Sequence, residues 1–380
     1  MRGIYIHIPF CKQLCAYCDF YSSISLEGKD DMLQALLHEM ELRRNYFPAS
    51  NQDPVTLYFG GGTPSLLTPQ ELKLLLQKAQ AVFNVKEFVE VTLEANPDDL
   101  SPACLEALLA TGINRLSIGV QSFTPAHLQW MRRRHTAAQA ADSVKYAKAA
   151  GFVNLTIDLM YGLPALRTEE WAHTLRQALE LDVPHISAYH LTIEPRTLLG
   201  KQAEKGLLQP LDEEESERQF LLLHHTLTQA GYVHYEVSNF ARPGYEALHN
   251  SAYWQQQPYI GVGPSAHSFN GVGRQWNKAN NKQYVAALAQ GLPFFDSETL
   301  TPTMRYNEYI LTGLRTAQGV SHAYIRQHFG EQYAGYFSKQ SKFYLQTGKL
   351  KQLQDGRIYI PSPHFFVSDA IIESLFLAND

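Results

Sequence analysis

The sequence predicts an α/β chain: an incomplete parallel (β/α)6 barrel followed by a smaller α-rich C-terminal domain. Three observations lead there. Six short β-rich runs alternate with amphipathic stretches in the first half of the chain, and parallel strands need such crossovers between them. The regularity fades after about Pro195. A helix-dominated pattern then begins near Thr301. Strand order is not written in the sequence, so an open doubly wound sheet is the alternative to the barrel.

The six runs are residues 4–8, 55–59, 89–94, 115–119, 155–160 and 185–191. Between them, Asp30 or Asp31 is expected to cap a helix running to about Tyr46. Thr68-Pro69, Ser101-Pro102 and Thr124-Pro125 each set a hydroxyl before a proline, the layout of a capped first turn. Thr136 opens a helix that Gly151 closes, and Thr168-Glu169-Glu170 opens another. Residues 213–230 read as a helix with an acidic first turn, which complements the helix dipole. Residues 232–240 alternate as one strand. Residues 241–295, rich in Asn, Gln, Gly and aromatics, read as an irregular connecting segment. Beyond it come two or three helices, a short ribbon at 356–360 and a last helix, a winged-helix-like arrangement. The expected division is 1–240, 241–295 and 296–380.

The 380 residues carry a formal net charge of -5, with 45% hydrophobic and 18% charged residues. That balance gives nucleic acid no basic surface to bind. No apolar run is long enough to span a bilayer. The N-terminus lacks a signal-peptide layout, so a cytoplasmic location is expected.

Chemistry concentrates in the cysteines. Of four, Cys11, Cys15 and Cys18 fall within eight residues. A disulfide framework would spread them. Cys11-Lys-Gln-Leu-Cys15-Ala-Tyr-Cys18 offers three thiolates, enough for three irons of a [4Fe–4S] cluster, with the fourth iron left open. A zinc site would want a fourth ligand, and Cys104 lies in a predicted helix, where it reads as a small core residue. The run also follows directly on a strand, where a barrel carries its functional loops.

This CxxxCxxC run after a strand resembles the radical-SAM superfamily. The surrounding residues are similar to its coproporphyrinogen-dehydrogenase-related branch: Tyr5-Ile-His-Ile-Pro-Phe-Cys11, Tyr17 before Cys18, Gly60-Gly61-Gly62-Thr63-Pro64, Glu94-Ala-Asn-Pro97, Gly119-Val-Gln121-Ser122-Phe123 and Asp158-Leu-Met-Tyr-Gly-Leu-Pro164. The resemblance implies a [4Fe–4S] cluster and S-adenosylmethionine (SAM). It places Gly61, Gly62 and Thr63 against the SAM amino group, Arg133 on its carboxylate and Asp158 on its ribose, with Tyr5, Glu94 and Gln121 completing the site. Each residue also has a plainer reading: a strand-to-helix turn for the glycines, a strand end for Glu94, a turn polar for Gln121, a helix end for Arg133, core for Tyr5.

Within the branch two activities compete. One is oxidative decarboxylation of coproporphyrinogen III; the other is heme chaperoning, in which heme is bound and passed to acceptor hemoproteins, membrane-bound respiratory enzymes first among them. A radical-SAM enzyme with another substrate is the third. Three features favour the chaperone. Phe20 stands where the dehydrogenase has a further cysteine. The chain starts in its first strand, leaving no N-terminal segment to fold over the site. His249-Asn250-Ser251-Ala252-Tyr253-Trp254 resembles the HNxxYW motif of the heme-chaperone relatives. His249 is then the candidate heme ligand, on an exposed segment apart from the cluster, although a lone histidine among aromatics is more often structural. His267, in a Gly-rich loop, is a further histidine that could line the site.

Overall fold

The computed structural model describes residues 1–47 and 53–378. Six parallel strands lie side by side in chain order: β1 (Arg2–Ile8), β2 (Val55–Gly61), β3 (Glu90–Ala95), β4 (Arg115–Gln121), β5 (Asn154–Tyr161) and β6 (His185–His190). Each boundary falls within two residues of its predicted run. The crossovers carry α1 (Lys29–Leu42), α2 (Pro69–Phe83), α3 (Pro102–Leu109), α4 (Pro125–Trp130), α5 (Ala137–Ala150) and α6 (Thr168–Glu180). An order of 1-2-3-4-5-6 has no switch point, so the doubly wound alternative falls.

Strand periodicity explains both faces of the sheet. Ile4, Ile6 and Ile8, Val55, Leu57 and Phe59, Leu116, Ile118 and Val120, and Leu155, Ile157 and Leu159 form one buried apolar set. The alternate positions are polar: Tyr5 and His7, Thr56 and Tyr58, Glu90, Thr92 and Glu94, Arg115 and Ser117, Thr156 and Asp158, Ser187 and Tyr189. Closed barrels of this kind fill their interior with branched apolar side chains. This one lines its interior with hydrogen-bonding groups instead.

The caps follow the sequence except at α1 and at Thr124, which precedes α4 without accepting a capping bond. Thr68 forms a capping box with Glu71, Thr136 forms one with Gln139, and Ser101 accepts from the Cys104 amide. Helix α1, however, starts behind a left-handed Gly28, so Asp30 and Asp31 sit inside its first turn rather than capping it, and it stops at Leu42, short of Tyr46. Helix α6 opens at Thr168, as expected, behind Arg167.

After β6 come α7 (Leu198–Glu204), α8 (Glu213–Gln229) and the hairpin β7 (Val233–Glu236) and β8 (Asn239–Ala241), where one strand was expected. β8 pairs antiparallel with β6. The expected irregular segment is instead regular: α9 (Leu248–Trp254), β9 (Tyr259–Val262), β10 (His267–Phe269), β11 (Gly273–Asn277), α10 (Asn281–Gln290) and β12 (Phe295–Thr299). These strands extend the sheet past β1, β9 parallel to it and the rest antiparallel. Because β1 pairs with β9 and β6 with β8, the six-stranded ring stays open. A buried carboxylate fastens the extension: Glu39 of α1 accepts from Arg43, the Gly263 amide, Asn277 and Tyr284. Strands of three to five residues are too short for period-two alternation to register, which is why composition alone suggested irregular chain.

The C-terminal part holds α11 (Pro302–Leu314), β13 (Val320–Ser321), α12 (His322–Phe329), α13 (Glu331–Gln346), β14 (Lys351–Gln352), β15 (Arg357–Tyr359) and α14 (Ser368–Glu373). β13, β15 and β14 form a separate antiparallel sheet. This part joins the barrel by backbone pairing: the Val237 amide donates to Arg315 O and the Ala317 amide to Tyr235 O, both at 2.9 Å. No helix among the described residues is long and apolar enough to cross a membrane.

Candidate functional site

The barrel has a floor, and α9 forms it. The α9 chain enters at the N-terminal ends of the strands. Glu90 of β3 accepts from the Leu248 and His249 amides, both at 2.9 Å. Arg115 of β4 donates to Tyr245 O and to Thr156, and the Ala247 amide donates to the Tyr235 hydroxyl, which also meets His185. His249 is 1% exposed. Its Nδ1 lies 2.8 Å from Thr56 Oγ1 and its Nε2 2.8 Å from the Tyr253 hydroxyl, while its ring stacks on Tyr58. Burial pushes its pKa down to about 3, so the ring is neutral. The expectation of an exposed histidine on a connecting segment is therefore corrected. The motif lies on a helix that buries His249 and Ala252, and both imidazole nitrogens are engaged.

At the opposite end, the loop after β1 carries the three clustered cysteines. It is tied down along its length. The Cys11 amide donates to Ser23 O and the Ser23 amide to Pro9 O, while Ala16 exchanges bonds with Met131 O and the Leu199 amide. Thr63 Oγ1 lies 3.5 Å from Cys11 Sγ, and Arg133 donates to Cys15 Sγ at 3.2 Å. Arg133 also donates to Asn96 Oδ1 at 2.6 Å and Gly119 O at 2.8 Å, and Asn96 donates to Thr63. Burial works against the Arg133 charge, but Tyr17 and Cys15 beside it raise its pKa overall. Burial, with Cys15 and Cys11 adding to it, pushes the Cys18 thiol up to about 11. A metal taking Cys18 must therefore displace a proton.

These residues fit an iron–sulfur cluster. Among the described residues no three His, Cys, Asp or Glu side chains converge on one metal-sized position. A cluster carries a thiolate on each of several irons and needs no such convergence, whereas zinc draws its ligands to within about 2.3 Å of one centre. The buried Nε of Arg133 has no partner among the described residues, so this guanidinium has a donor to spare beside Cys15. Cys104 lies on α3, outside the loop, its thiol raised by burial and by Asp99.

The residues expected at SAM do not all line one cavity: Thr63 and Arg133 line a small second pocket with Cys15 and Asn96. Tyr5, Gly61 and Glu94 line one cavity. Glu94 accepts from Tyr58 at 2.7 Å and from the Gly61 amide at 3.2 Å. Burial pushes Glu94 up to about 7 despite these bonds. Gly61 has φ +109°, and a Cβ there would sit 2.6 Å from the His7 ring, so glycine is required by conformation and by space. The Gly62 amide donates to Ile8 O, and Thr63 stands beside Cys11. Gln121 ends β4 with φ +64°, Asp158 accepts from Ser117, and burial pushes Asp158 up to about 6. A Cβ on Gly119 would lie 3.0 Å from both Arg133 and Gln121, so that glycine leaves room for the pair. Asn96, Tyr58 and Tyr189 belong to this interior too. The signal for them was available: each has the polar, inward parity of its strand or follows directly on one.

The cavity measures about 500 Å³, within the range of small-molecule sites. Its lining includes six tyrosines, Tyr5, Tyr21, Tyr58, Tyr189, Tyr253 and Tyr259, with His7, His249 and His267. It runs from the floor motif to Phe20, which is 73% exposed at the lip. The histidine motif and part of the predicted SAM site therefore share one cavity.

Comparison with known proteins agrees with this geometry. Residues 5–178 match the radical SAM superfamily and residues 300–361 the HemN C-terminal domain. The heme chaperone HemW of Bacillus subtilis (strain 168) is 35% identical over 363 residues, 95% of each chain. That of Escherichia coli (strain K12) is 41% identical over 268 residues, 70% of this chain and 69% of the relative. Among solved structures, coproporphyrinogen III oxidase (HemN) from Escherichia coli, a radical SAM enzyme, superposes with a TM-score of 0.82 at 24% identity, over 99% of this chain and 90% of that one.

Proposed function

We propose that this chain, which belongs to the HemW family of heme chaperones within the radical SAM superfamily, binds heme and hands it to acceptor hemoproteins. The observation that carries the reading is the tyrosine-lined cavity of about 500 Å³, open at an exposed Phe20. Aromatic walls suit a flat apolar ligand, with hydroxyls turned to its polar edge. An open lip suits a carrier, which must release its cargo. Respiratory hemoproteins in the cytoplasmic membrane are the acceptors proposed, reached from the cytoplasm.

Membership of the superfamily implies a [4Fe–4S] cluster and SAM. Cys11, Cys15 and Cys18 are the proposed cluster ligands. Tyr5, Gly61, Gly62, Thr63, Glu94, Gln121, Arg133 and Asp158 are the proposed SAM residues. Bound there, the cluster supplies one-electron chemistry and an open iron for the SAM amine and carboxylate. The chain's part is to hold and orient: Arg133 keeps a positive charge beside Cys15, Asn96 fixes the guanidinium, and the raised Glu94 and Asp158 offer a proton or a charge according to what they meet.

The alternative is decarboxylation of coproporphyrinogen III. Phe20 speaks against it, placing an exposed ring where that enzyme has a thiol. The test is anaerobic. Reconstituted protein is titrated with heme, then mixed with an apo-hemoprotein; in parallel it receives coproporphyrinogen III, SAM and reductant. Saturable heme binding, transfer of the Soret band to the acceptor and no porphyrin product are expected. Turnover of coproporphyrinogen III, or no saturable heme binding, overturns the reading.

A further inference from the structure

The cavity offers three histidines to an incoming heme, and their ring nitrogens differ in one respect. His7 is 4% exposed, with Nδ1 3.1 Å from the Tyr5 hydroxyl and Nε2 2.8 Å from Tyr21 O. His249 is fixed in the floor by Thr56 and Tyr253. To ligate iron, either ring would have to give up a buried hydrogen bond and strand its partner, which costs about 1–3 kcal/mol per unsatisfied group. His267 has no such commitment. It opens β10 with an exposed side chain on the cavity wall, and no hydrogen bond to it exists among the described residues.

Its backbone is fixed although its ring is free. The Ala266 amide donates to Gly263 O, the Ser265 amide to Lys278 O and the Asn277 amide to Ala266 O. His267 pairs across the strands with Trp276, whose ring lies roughly parallel at 6.4 Å between centroids. Burial, and then Arg274, lowers the His267 pKa, so the imidazole is neutral at physiological pH. The neutral ring is the form that binds a metal. Phe20, Ser265 and Ala266 line the same cavity.

We propose that His267 is the axial ligand to heme iron, with the macrocycle seated at the lip of the cavity beside Phe20, and that His249 is a positioning residue of the floor. The assignment rests on the heme-chaperone reading and deepens it. Coordination forms one nitrogen–iron bond and moves no proton or electron, because the ring is already neutral.

The experiment is a heme titration of cluster-loaded chain, read by Soret and visible bands, with the iron–sulfur absorption as the check on folding. Wild type is compared with His267→Ala, His249→Gln and His225→Ala, the last an exposed position on α8. His267→Ala is expected to lose the imidazole-ligated band and about tenfold or more in affinity, and added free imidazole should restore the band. His225→Ala should match wild type. If wild type shows no saturable binding, the chaperone reading falls and takes this assignment with it. If wild type binds and His267→Ala keeps the same band, or if the band is lost only in His249→Gln, the assignment alone is overturned.

Discussion

Replacing Glu94 by Gln should make the chain more stable at pH 8 and leave it nearly unchanged below pH 4.5. Glu94 is a half-buried carboxyl on β3 that lines the cavity, and desolvation raises it from 4.5 to about 7, with Asp158 adding to the rise. A raised carboxyl favours its neutral form in the folded chain. Between pH 4.5 and 7 the native state therefore holds more protons than the unfolded state, and stability falls as pH climbs through that window. Each pH unit is worth about 1.4 kcal/mol, so the penalty on the charged form reaches ~3 kcal/mol at pH 8. The amide of the Glu94→Gln chain imitates the protonated acid, still offering Tyr58 an acceptor, and does not titrate. Asp158 and Glu236 are also raised by burial, but they are present in both chains and largely cancel from the difference. The assay is urea unfolding of SAM-free protein at pH 4.5, 6 and 8, comparing the two chains at each pH. A difference that stays flat with pH would refute the buried-carboxylate reasoning.

Two further outcomes follow from the structure. Glu90→Ala deprives the Leu248 and His249 amides of their acceptor, which at about 1–3 kcal/mol per buried amide should cost ~2–6 kcal/mol and loosen the floor. Denaturant midpoints measure it, Glu90→Gln should lose less, and an unchanged midpoint would mean the floor is held elsewhere. Iron and sulfide analysis should give about four of each per chain. Cys11→Ala, Cys15→Ala or Cys18→Ala should each lose the cluster absorption and bind heme more weakly than wild type, and Cys104→Ala should do neither; loss in Cys104→Ala alone would sink the ligand set.

The outer layer of this fold was legible because its signals are local. Runs of Val, Ile and Leu mark the six strands, and Thr68, Ser101 and Thr136 show their caps three residues ahead of the amides they accept from. The cysteine loop was legible because three ligands lie within eight residues. The interior was harder, since its contacts span long sequence separations. Thr56 and His249 are 193 residues apart, and Glu39 and Tyr284 are 245 apart. A seven-residue helix such as α9 completes barely two turns, too few for its apolar face to register. One signal was present and went unused. Tyr5 and His7, Thr56 and Tyr58, and Thr92 and Glu94 repeat a polar residue at every second strand position. That parity marks a barrel lined for a ligand, and following it would have drawn Tyr58 and Tyr189 into the site.

The same parity bears on whether cluster and heme occupy independent sites. In the sequence the CxxxCxxC run and the histidine motif lie more than 200 residues apart, which suggests two separable functions. In the fold they meet through one loop. Phe20 follows Cys18 by two residues, and Asp19, Phe20 and Tyr21 all line the cavity whose floor is His249. Tyr21 O is also the acceptor that holds His7, and His7 in turn meets Tyr5 on the deep wall. A metal bound by Cys18 fixes the chain on one side of Phe20, and Ser23, bonded to Pro9 and Cys11, fixes it on the other. Without the metal, the Cys18 side of the lip keeps only its protein contacts, Ala16 on Met131 and Leu199 and Asp19 on Arg196. A chain segment loosened in this way has part of its ordering entropy still to lose when a ligand arrives, at up to roughly 1–2 kcal/mol per residue. That cost falls on heme affinity, although no cysteine need touch the heme, and it is the reason the cysteine variants are expected to weaken both ligands while Cys104, outside the loop, weakens neither.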